Sequence, residues 1–265
     1  MEILAYRLGE KIGVPVPPAF VAYDSDNGAS GALIEWFYKS TGDVVERYIH
    51  GGDYMQRLIE GYDRKVGRQH NFESISAICK MLKQHAALAD NWVIYWAKVL
   101  TFDALIGNTD RHHDNWGVIY QFLVGRDVDA ESGEISIQST RLAPTFDNGT
   151  SMGHEIPSEK FHAFSGVDRM KRYVARGTHH MKWKQGDGKR INHGDMLLNY
   201  CDKFSIAKES ILDCLNISDG ELSVVVSELT KFDVLVPLSE ERADFMVNLL
   251  TYRKNYLFSL VSGHV

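Results

Sequence analysis

The sequence predicts an α+β protein, a mainly helical body that carries a small β-hairpin region. Three observations predict it. Several windows keep apolar residues at three- and four-residue spacing, the mark of helices with one buried face. Residues 92–106 are apolar nearly all round, as a fully buried helix is. Two apolar runs, 117–123 and 135–140, flank a charged, glycine-bounded turn at 125–133, the pattern of a hairpin. With 265 residues, 44% hydrophobic and 24% charged, the chain is long enough for one large or two small domains, and no fixed period suggests repeats.

In chain order, residues 2–13 carry Leu4, Leu8 and Ile12 on one face and stop at Gly13 before a proline-rich exit, which predicts a short amphipathic helix. Residues 19–23 and 32–38 are apolar and aromatic runs around Asp24-Ser-Asp-Asn-Gly28, two strands joined by a turn. Helices follow over 54–63 and 72–89, the second with Ile75, Ile78, Leu82 and Ala86 at helical spacing. The buried helix 92–106 then delivers the chain to a polar loop, and the hairpin follows. From Met196 the pattern is helical again. Ser218-Asp-Gly-Glu221 has capping-box spacing for a helix through Leu229, and Ser239 caps a last helix with Phe245, Leu249, Tyr252 and Tyr256 as its apolar stripe.

Composition excludes several classes. No apolar run approaches the roughly 20 residues that span a bilayer, and no basic segment leads into an apolar core and cleavage site, so the expected location is the cytoplasm. Cys79, Cys201 and Cys214 lack a paired spacing and read as reduced thiols rather than a disulfide framework or zinc site. A net charge of −6 gives no basis for general nucleic-acid binding, and no basic amphipathic helix offers a membrane foothold. Against that acidic balance, residues 160–190 gather Arg169, Lys171, Arg172, Arg176, Lys182, Lys184 and Lys189, either a solvated basic face or a surface for an acidic partner.

The chemistry concentrates in Leu105-Ile-Gly-Asn-Thr-Asp-Arg-His-His-Asp-Asn-Trp-Gly-Val-Ile-Tyr120 and Leu142-Ala-Pro-Thr-Phe-Asp-Asn-Gly149. Asp, Asn and Gly form turns by themselves. Here, however, Asp110 precedes Asn115 by five positions, Asp147 stands beyond the hairpin, and apolar runs lead into both segments. Phosphoryl transfer needs one carboxylate for the attacking hydroxyl, and an amide and a second carboxylate to hold magnesium against a triphosphate. Magnesium takes hard oxygen ligands, only one or two of them carboxylates. Asp110, Asn115 and Asp147 supply that set, at the spacing of a kinase catalytic loop.

These residues resemble the HipA-like serine/threonine protein kinases, the toxin components of bacterial toxin-antitoxin modules. Glu2 with Leu8, Gly13, Val16 and Pro17 is similar to that family's regulatory-helix segment, Ile34-Glu-Trp-Phe37 to its hinge, and residues 142–147 to its metal-binding strand. The resemblance implies a protein-kinase-like fold of HipA type. A partial N-lobe and hinge would occupy residues 1–39, and a helical C-lobe with the catalytic and metal-binding loops residues 40–265. It further implies ATP and Mg2+ as cofactors and a Ser/Thr-bearing protein as substrate. Asp110 would be the catalytic base, Asn115 and Asp147 the magnesium ligands, and backbone groups of Glu35, Trp36 and Phe37 the adenine contact. His112 matches a family histidine between base and Asn, with a role in ordering the loop or contacting phosphate.

One departure bears on activity. A kinase of this sort has strands carrying a phosphate-covering loop and a lysine that pairs with the helix Glu. Lys11 lies within the first helix and Lys39 follows the hinge, so neither is that lysine, and Glu2 has no evident partner. The expectation is a truncated or split kinase whose missing lobe comes from a longer gene or a separate chain. An antitoxin is a further possible partner, and loss of catalysis, leaving a non-catalytic binding module, is the alternative. Asp-Arg-His-x-x-Asn is also similar to the loop of phosphoinositide lipid kinases. A metal-dependent hydrolase built from Asp110, His112, His113 and Asp147 with His154 or His162 is the remaining reading, without any H-E-x-x-H pair to support it.

Overall fold

The computed structural model of the chain describes residues 1–123, 137–164 and 166–264. The expected turn at 125–133 and the first two residues of the expected strand 135–140 lie outside the described residues. At the centre of the helical body is helix α4, Trp92–Ile106, which Asn91 caps through its side chain and Gly107 ends in the left-handed region at φ 69°. Only Lys98 and Asp103 carry charge along it. Trp96, Leu100, Phe102 and Leu105 are fully buried. Burial on every face suits a helix enclosed by others, here α6 (His193–Lys203), α7 (Ala207–Leu215) and α9 (Glu240–Ser262). Trp96 packs edge-on against Phe72 and Trp116, tying the core to the segment that carries the polar loop.

Around this centre the other elements follow the sequence with instructive shifts. Helix α1 runs Glu2–Ile12 and ends at Gly13 in the left-handed region. Helix α2 is Gly51–Leu58, earlier than the expected 54–63, because Gly51 has no Cβ and packs against the Trp116 ring. Helix α3, Phe72–His85, stops short of 89 because Ala89 N–H donates to the Thr140 carbonyl (2.9 Å) and so joins the sheet edge. Helix α5 is Val167–Ala175, and α8, Asp219–Ser227, has the predicted capping box at Ser218 and Glu221. Ser239 caps α9 as expected. The α9 stripe is rotated, however. Phe245 and Leu249 are buried as predicted, whereas Tyr256 is 36% exposed and its place is taken by Arg253 and Leu257. The three cysteines are free and buried.

Strands β1 (Ala19–Asp24) and β2 (Ala29–Ile34) pair as a hairpin, so β2 ends before the aromatic run 36–38 instead of including it. The expected second hairpin is two strands of a larger antiparallel sheet, β3 (Ser40–Thr41), β4 (Val44–His50), β5 (Gly117–Leu123) and β6 (Ile137–Leu142), in that order. β3 and β4 escaped the sequence reading because β4 is half-buried on both faces and its residues show no clean alternation. The register pairs His50 with Gly117 and Val118 with Leu142. Gly117 is required there, since a Cβ would lie 2.3 Å from the Ile49 carbonyl oxygen. One end of β5 and the far end of β6 are thereby held together, and the loops that enter β5 and leave β6 meet. Among the described residues no helix is long and apolar enough to cross a membrane.

Trp96→Ala removes a fully buried indole from the junction of α3, α4 and the loop. It is expected to lower the unfolding free energy by about 3–5 kcal/mol, read from the urea midpoint. A cost under about 1 kcal/mol would show that the junction is not part of the core.

Candidate active site

The loop after α4 is organised by one buried side chain. Arg111 and Asp103, 1% and 0% exposed at their side chains, form a two-pronged ion pair, Nη2–Oδ1 2.8 Å and Nε–Oδ2 3.1 Å. The remaining guanidinium donors reach the Asn115 carbonyl (3.1 Å), the Phe146 carbonyl and the Asn148 Oδ1 (2.7 Å). All five N–H donors of Arg111 therefore find acceptors. Burial works against its charge, but Asp103 outweighs it and holds the guanidinium pKa above its usual value. A single planar cation thus pins the end of α4, the 110–115 loop and the 146–148 segment to one another.

Asn108 completes the frame. Its backbone N–H donates to the Asp103 carbonyl (2.9 Å) and its Nδ2 to Asp103 Oδ1 (3.1 Å), while its Oδ1 accepts from Asp110 N–H (2.9 Å) and Thr150 Oγ1 (3.1 Å). Buried His193 donates Nε2–H to the Asn108 carbonyl at 3.1 Å, which fixes its tautomer. Within the loop, the Asp110 carbonyl accepts from His112 N–H (2.7 Å) and from Asn115 Nδ2 (2.8 Å), and Asn115 N–H donates to the His112 carbonyl (3.0 Å). The amide of Asn115 is oriented by that bond, leaving its Oδ1 as the open acceptor. His112 Nδ1 accepts from Asp114 N–H at 3.1 Å, so this histidine orders the loop. Among the described residues no hydrogen bond engages the carboxylate of Asp110 or of Asp147.

Asp147 is exposed and takes φ 56°, a left-handed conformation that short Asp side chains tolerate. Its neighbours are fixed on both sides, Phe146 by Arg111 and Asn148 by Arg111 and Glu2. The Glu2 carboxylate accepts from Asn148 N–H at 2.6 Å, so the partner that the sequence did not reveal is a backbone amide. Burial raises the Glu2 pKa, and the nearby charge of Asp147 adds to it. Residues 35–37, the expected hinge, reach the same segment: Phe37 stacks on Phe146 with centroids 5.0 Å apart and sits edge-on to Tyr48. Trp36 is 62% exposed, and Glu35, Trp36 and Phe37 line an open cleft of about 530 Å³ with Arg141 and Glu46. Arg141, paired with Glu46 at 3.0 Å, donates to the Phe37 carbonyl (3.0 Å), which occupies one of that oxygen's two acceptor positions.

Asp110, Asn115, Asp147, His112 and the hinge are thus assembled in one region. The hydrolase set is not. His112, His113 and Asp114 are the one group among the described residues with donor atoms within 4.8 Å of one another, and neither His154 nor His162 joins it. The carboxylate of that trio is committed elsewhere, because Arg64 takes both Asp114 oxygens (3.2 and 2.8 Å) and lowers the Asp114 pKa against the effect of burial. The sequence reading missed Asp103, Arg111, Asn108 and Asn148. One signal was available: Asp103 is the single acid in an otherwise apolar buried helix, and such a charge demands a partner.

The family model of the HipA-like C-terminal domain matches residues 1–213. No curated protein sequence matches the chain. Among solved structures, the Helicobacter pylori proinflammatory kinase CtkA is similar at a TM-score of 0.70 and 18% identity, over 99% of this chain and 81% of that one. The Shewanella oneidensis MR-1 HipA, solved with HipB and operator DNA, is 11% identical at a TM-score of 0.45, over 99% of this chain and 55% of that one.

Arg111→Met and Asp103→Leu each leave one buried charge unpaired and are expected to cost about 3–5 kcal/mol in urea unfolding. The double variant is expected to cost less than the sum. Strict additivity would show that the pair is not the hub. Acid sensitivity follows from the buried histidines. Burial holds His179 down to about 4 from 6.5, and His70, His180 and His193 shift the same way. The unfolded chain binds these protons more readily, so their stabilisation is complete above 6.5 and lost as pH falls toward 4. For His179 the loss is on the order of 2 kcal/mol by about pH 5, and His179→Leu should flatten that part of the urea-midpoint profile.

Proposed function

The chain belongs to the HipA-like C-terminal domain family, and from the way its loops converge we propose that it is an ATP- and magnesium-dependent serine/threonine protein kinase. The observation that carries this is the Arg111 bridge, which brings the Asn115 amide and the Asp147 segment together beside a carboxylate, Asp110, with no hydrogen bond among the described residues. The donor set suits magnesium: the open Asn115 Oδ1 and the Asp147 carboxylate are hard oxygens, too few to complete an octahedron without phosphate and water. Asn115 and Asp147 would hold such an ion, and the chemistry it would supply is neutralisation of charge on a triphosphate.

The work of the protein's own residues is positional. Asp110 accepts or orients the proton of a Ser or Thr hydroxyl, and its backbone N–H is held by Asn108 Oδ1, which Thr150 Oγ1 fixes in turn. Asn115 is aimed by the Asp110 carbonyl, and Arg111 sets the spacing between the two segments. Glu35, Trp36 and Phe37 form the hinge side of the nucleotide cleft, with the Phe146 and Tyr48 rings behind Phe37. We place the boundary between a partial N-lobe and the helical C-lobe at residue 39. A protein substrate, a toxin-like role and a partner chain, whether antitoxin or completing lobe, are part of the same proposal. A non-catalytic binding module is the second reading, favoured by the Glu2 carboxylate, expected to pair with a lysine, bonding a backbone amide instead, and by the Phe37 carbonyl, expected at the adenine, bonding Arg141.

Asp147→Ala is expected to abolish magnesium-dependent ATP binding, whereas Asp110→Asn is expected to keep it and lose at least about a hundredfold in phosphoryl transfer. Nucleotide titration calorimetry and transfer of labelled phosphate measure the two. Equal loss of binding in both variants would contradict the separate roles, and wild-type binding without transfer would support the binding module.

A further inference from the structure

The basic stretch singled out in the sequence folds into a defined object. Residues 178–192 form a hairpin-like loop whose stem is stitched by His179 N–H to the Ile191 carbonyl (2.9 Å), Ile191 N–H to the Met181 carbonyl (3.2 Å) and a Thr178–Asn192 bridge. It is also laced to the turn before α3: Lys182 N–H donates to the His70 carbonyl (3.0 Å), and Phe72 N–H to the Lys182 carbonyl (2.9 Å). The two loops therefore present one surface, with Lys182, Lys184, Lys189 and Arg190 from the hairpin and Lys65 and Arg68 from the turn. All six are exposed except Lys182, which is half-buried. Three acids lie in or beside the same loops and bond backbone N–H groups rather than the six cationic side chains. Asp187 accepts from Lys184 N–H, Glu73 from Gln185 N–H and Asp63 from Lys65 and Val66 N–H. No ion pair among the described residues includes any of the six cations.

The surface borders the candidate catalytic loop. His180, in the hairpin stem, has its ring 5.8 Å from that of His112, and His113 packs against Gly67 in the turn. Arg190 is near enough for its charge to disfavour protonation of His180 and His70. Set against the three carboxylates of Asp63, Glu73 and Asp187, the six cations leave a net positive edge beside the site on a chain of net charge −6, a local field opposite to that of the whole molecule.

Building on the kinase assignment above, we propose that this surface docks an acidic stretch of the protein substrate and holds its Ser or Thr at Asp110. The occupant is a polypeptide rather than a nucleic acid on two grounds. The one tryptophan of the hairpin, Trp183, has one face stacked on Phe72 (5.3 Å, 9°), with Lys203 beside both rings, so it is committed to the core side rather than standing out as a platform for bases. The overall negative charge disfavours a long polyanion, whereas a short acidic segment meets only the local field. The backbone bonds of both loops fix the surface before binding, so little ordering cost opposes the contact.

Fluorescence anisotropy with the full chain tests this directly, using a labelled serine peptide flanked by glutamates, the same peptide with glutamines, and a single-stranded oligonucleotide of matched charge. The glutamate peptide is expected to bind about tenfold tighter than the glutamine peptide and to weaken with salt. Lys184→Glu with Lys189→Glu should erase the difference while keeping the parent's thermal melt, and Lys184→Gln with Lys189→Gln should reduce it. Equal binding of the two peptides, or no effect of either double variant, overturns the docking surface. Tighter binding of the oligonucleotide than of the glutamate peptide overturns it in favour of nucleic acid. Phosphoryl transfer is measured separately: transfer absent while the peptides are still discriminated strikes the kinase assignment and leaves the docking surface standing.

Discussion

A guanidinium with no access to solvent holds this structure's functional region together. Arg111 lies on the loop that follows the central helix, and its charge is tolerable in the interior because Asp103 faces it across a two-pronged ion pair. Desolvating two ions costs several kcal/mol each, which good geometry and complete hydrogen bonding can offset. Here the donors left over by Asp103 hold carbonyl and amide oxygens of residues 115, 146 and 148. The cost of burial is thereby converted into position. Two segments separated by a β-hairpin cannot drift apart without stranding a charge.

The rest of the architecture serves that convergence. Helix α4 is apolar on every side and locked among α6, α7 and α9, so its C-terminal turn is a fixed platform for Asp103. The β5–β6 pairing returns the chain to its starting end, with Ala143 N–H bonded to the Gly117 carbonyl at 3.0 Å, and this delivers Phe146 and Asp147 beside Asn115. From the other side α1 brings Glu2 to the Asn148 amide, and the segment after β2 brings Phe37 onto Phe146. Phosphoryl transfer depends on positioning and on charges fixed in advance more than on covalent participation by the protein. A frame in which every oriented group is bonded to another, while the carboxylates of Asp110 and Asp147 are left open, suits that chemistry.

Much of this was legible in the chain itself. Helix α4 is found at its expected bounds because fifteen residues with two charges admit no exposed face, and the caps at Ser218 and Ser239 follow from local hydrogen bonding that needs no tertiary partner. The loop residues Asp110, Asn115 and Asp147 stood out by type and spacing. Other features were hidden for physical reasons. Strand β4 lies half-buried on both faces, so no alternation marks it. Helix α3 ends where Ala89 is captured by Thr140, a contact 51 residues away that no local pattern encodes. The α9 stripe was drawn through Phe245, Leu249, Tyr252 and Tyr256, and only Tyr256 leaves it, its place going to Arg253, which donates to the Ala104 carbonyl near the end of α4 (3.2 Å), and to Leu257.

By itself the sequence determined most of the helices, the β1–β2 hairpin, the absence of paired cysteine spacing and the family resemblance, because these rest on periodicity, composition and short motifs that act over a few residues. Only the tertiary structure decided which groups meet. It paired Glu2 with a backbone amide, gave the Phe37 carbonyl to Arg141, committed Asp114 to Arg64 and made a single surface of two basic loops. The physical reason is burial. A charge or carbonyl removed from water must find a partner wherever the fold supplies one, and that partner is set by the packing of distant segments rather than by neighbours along the chain.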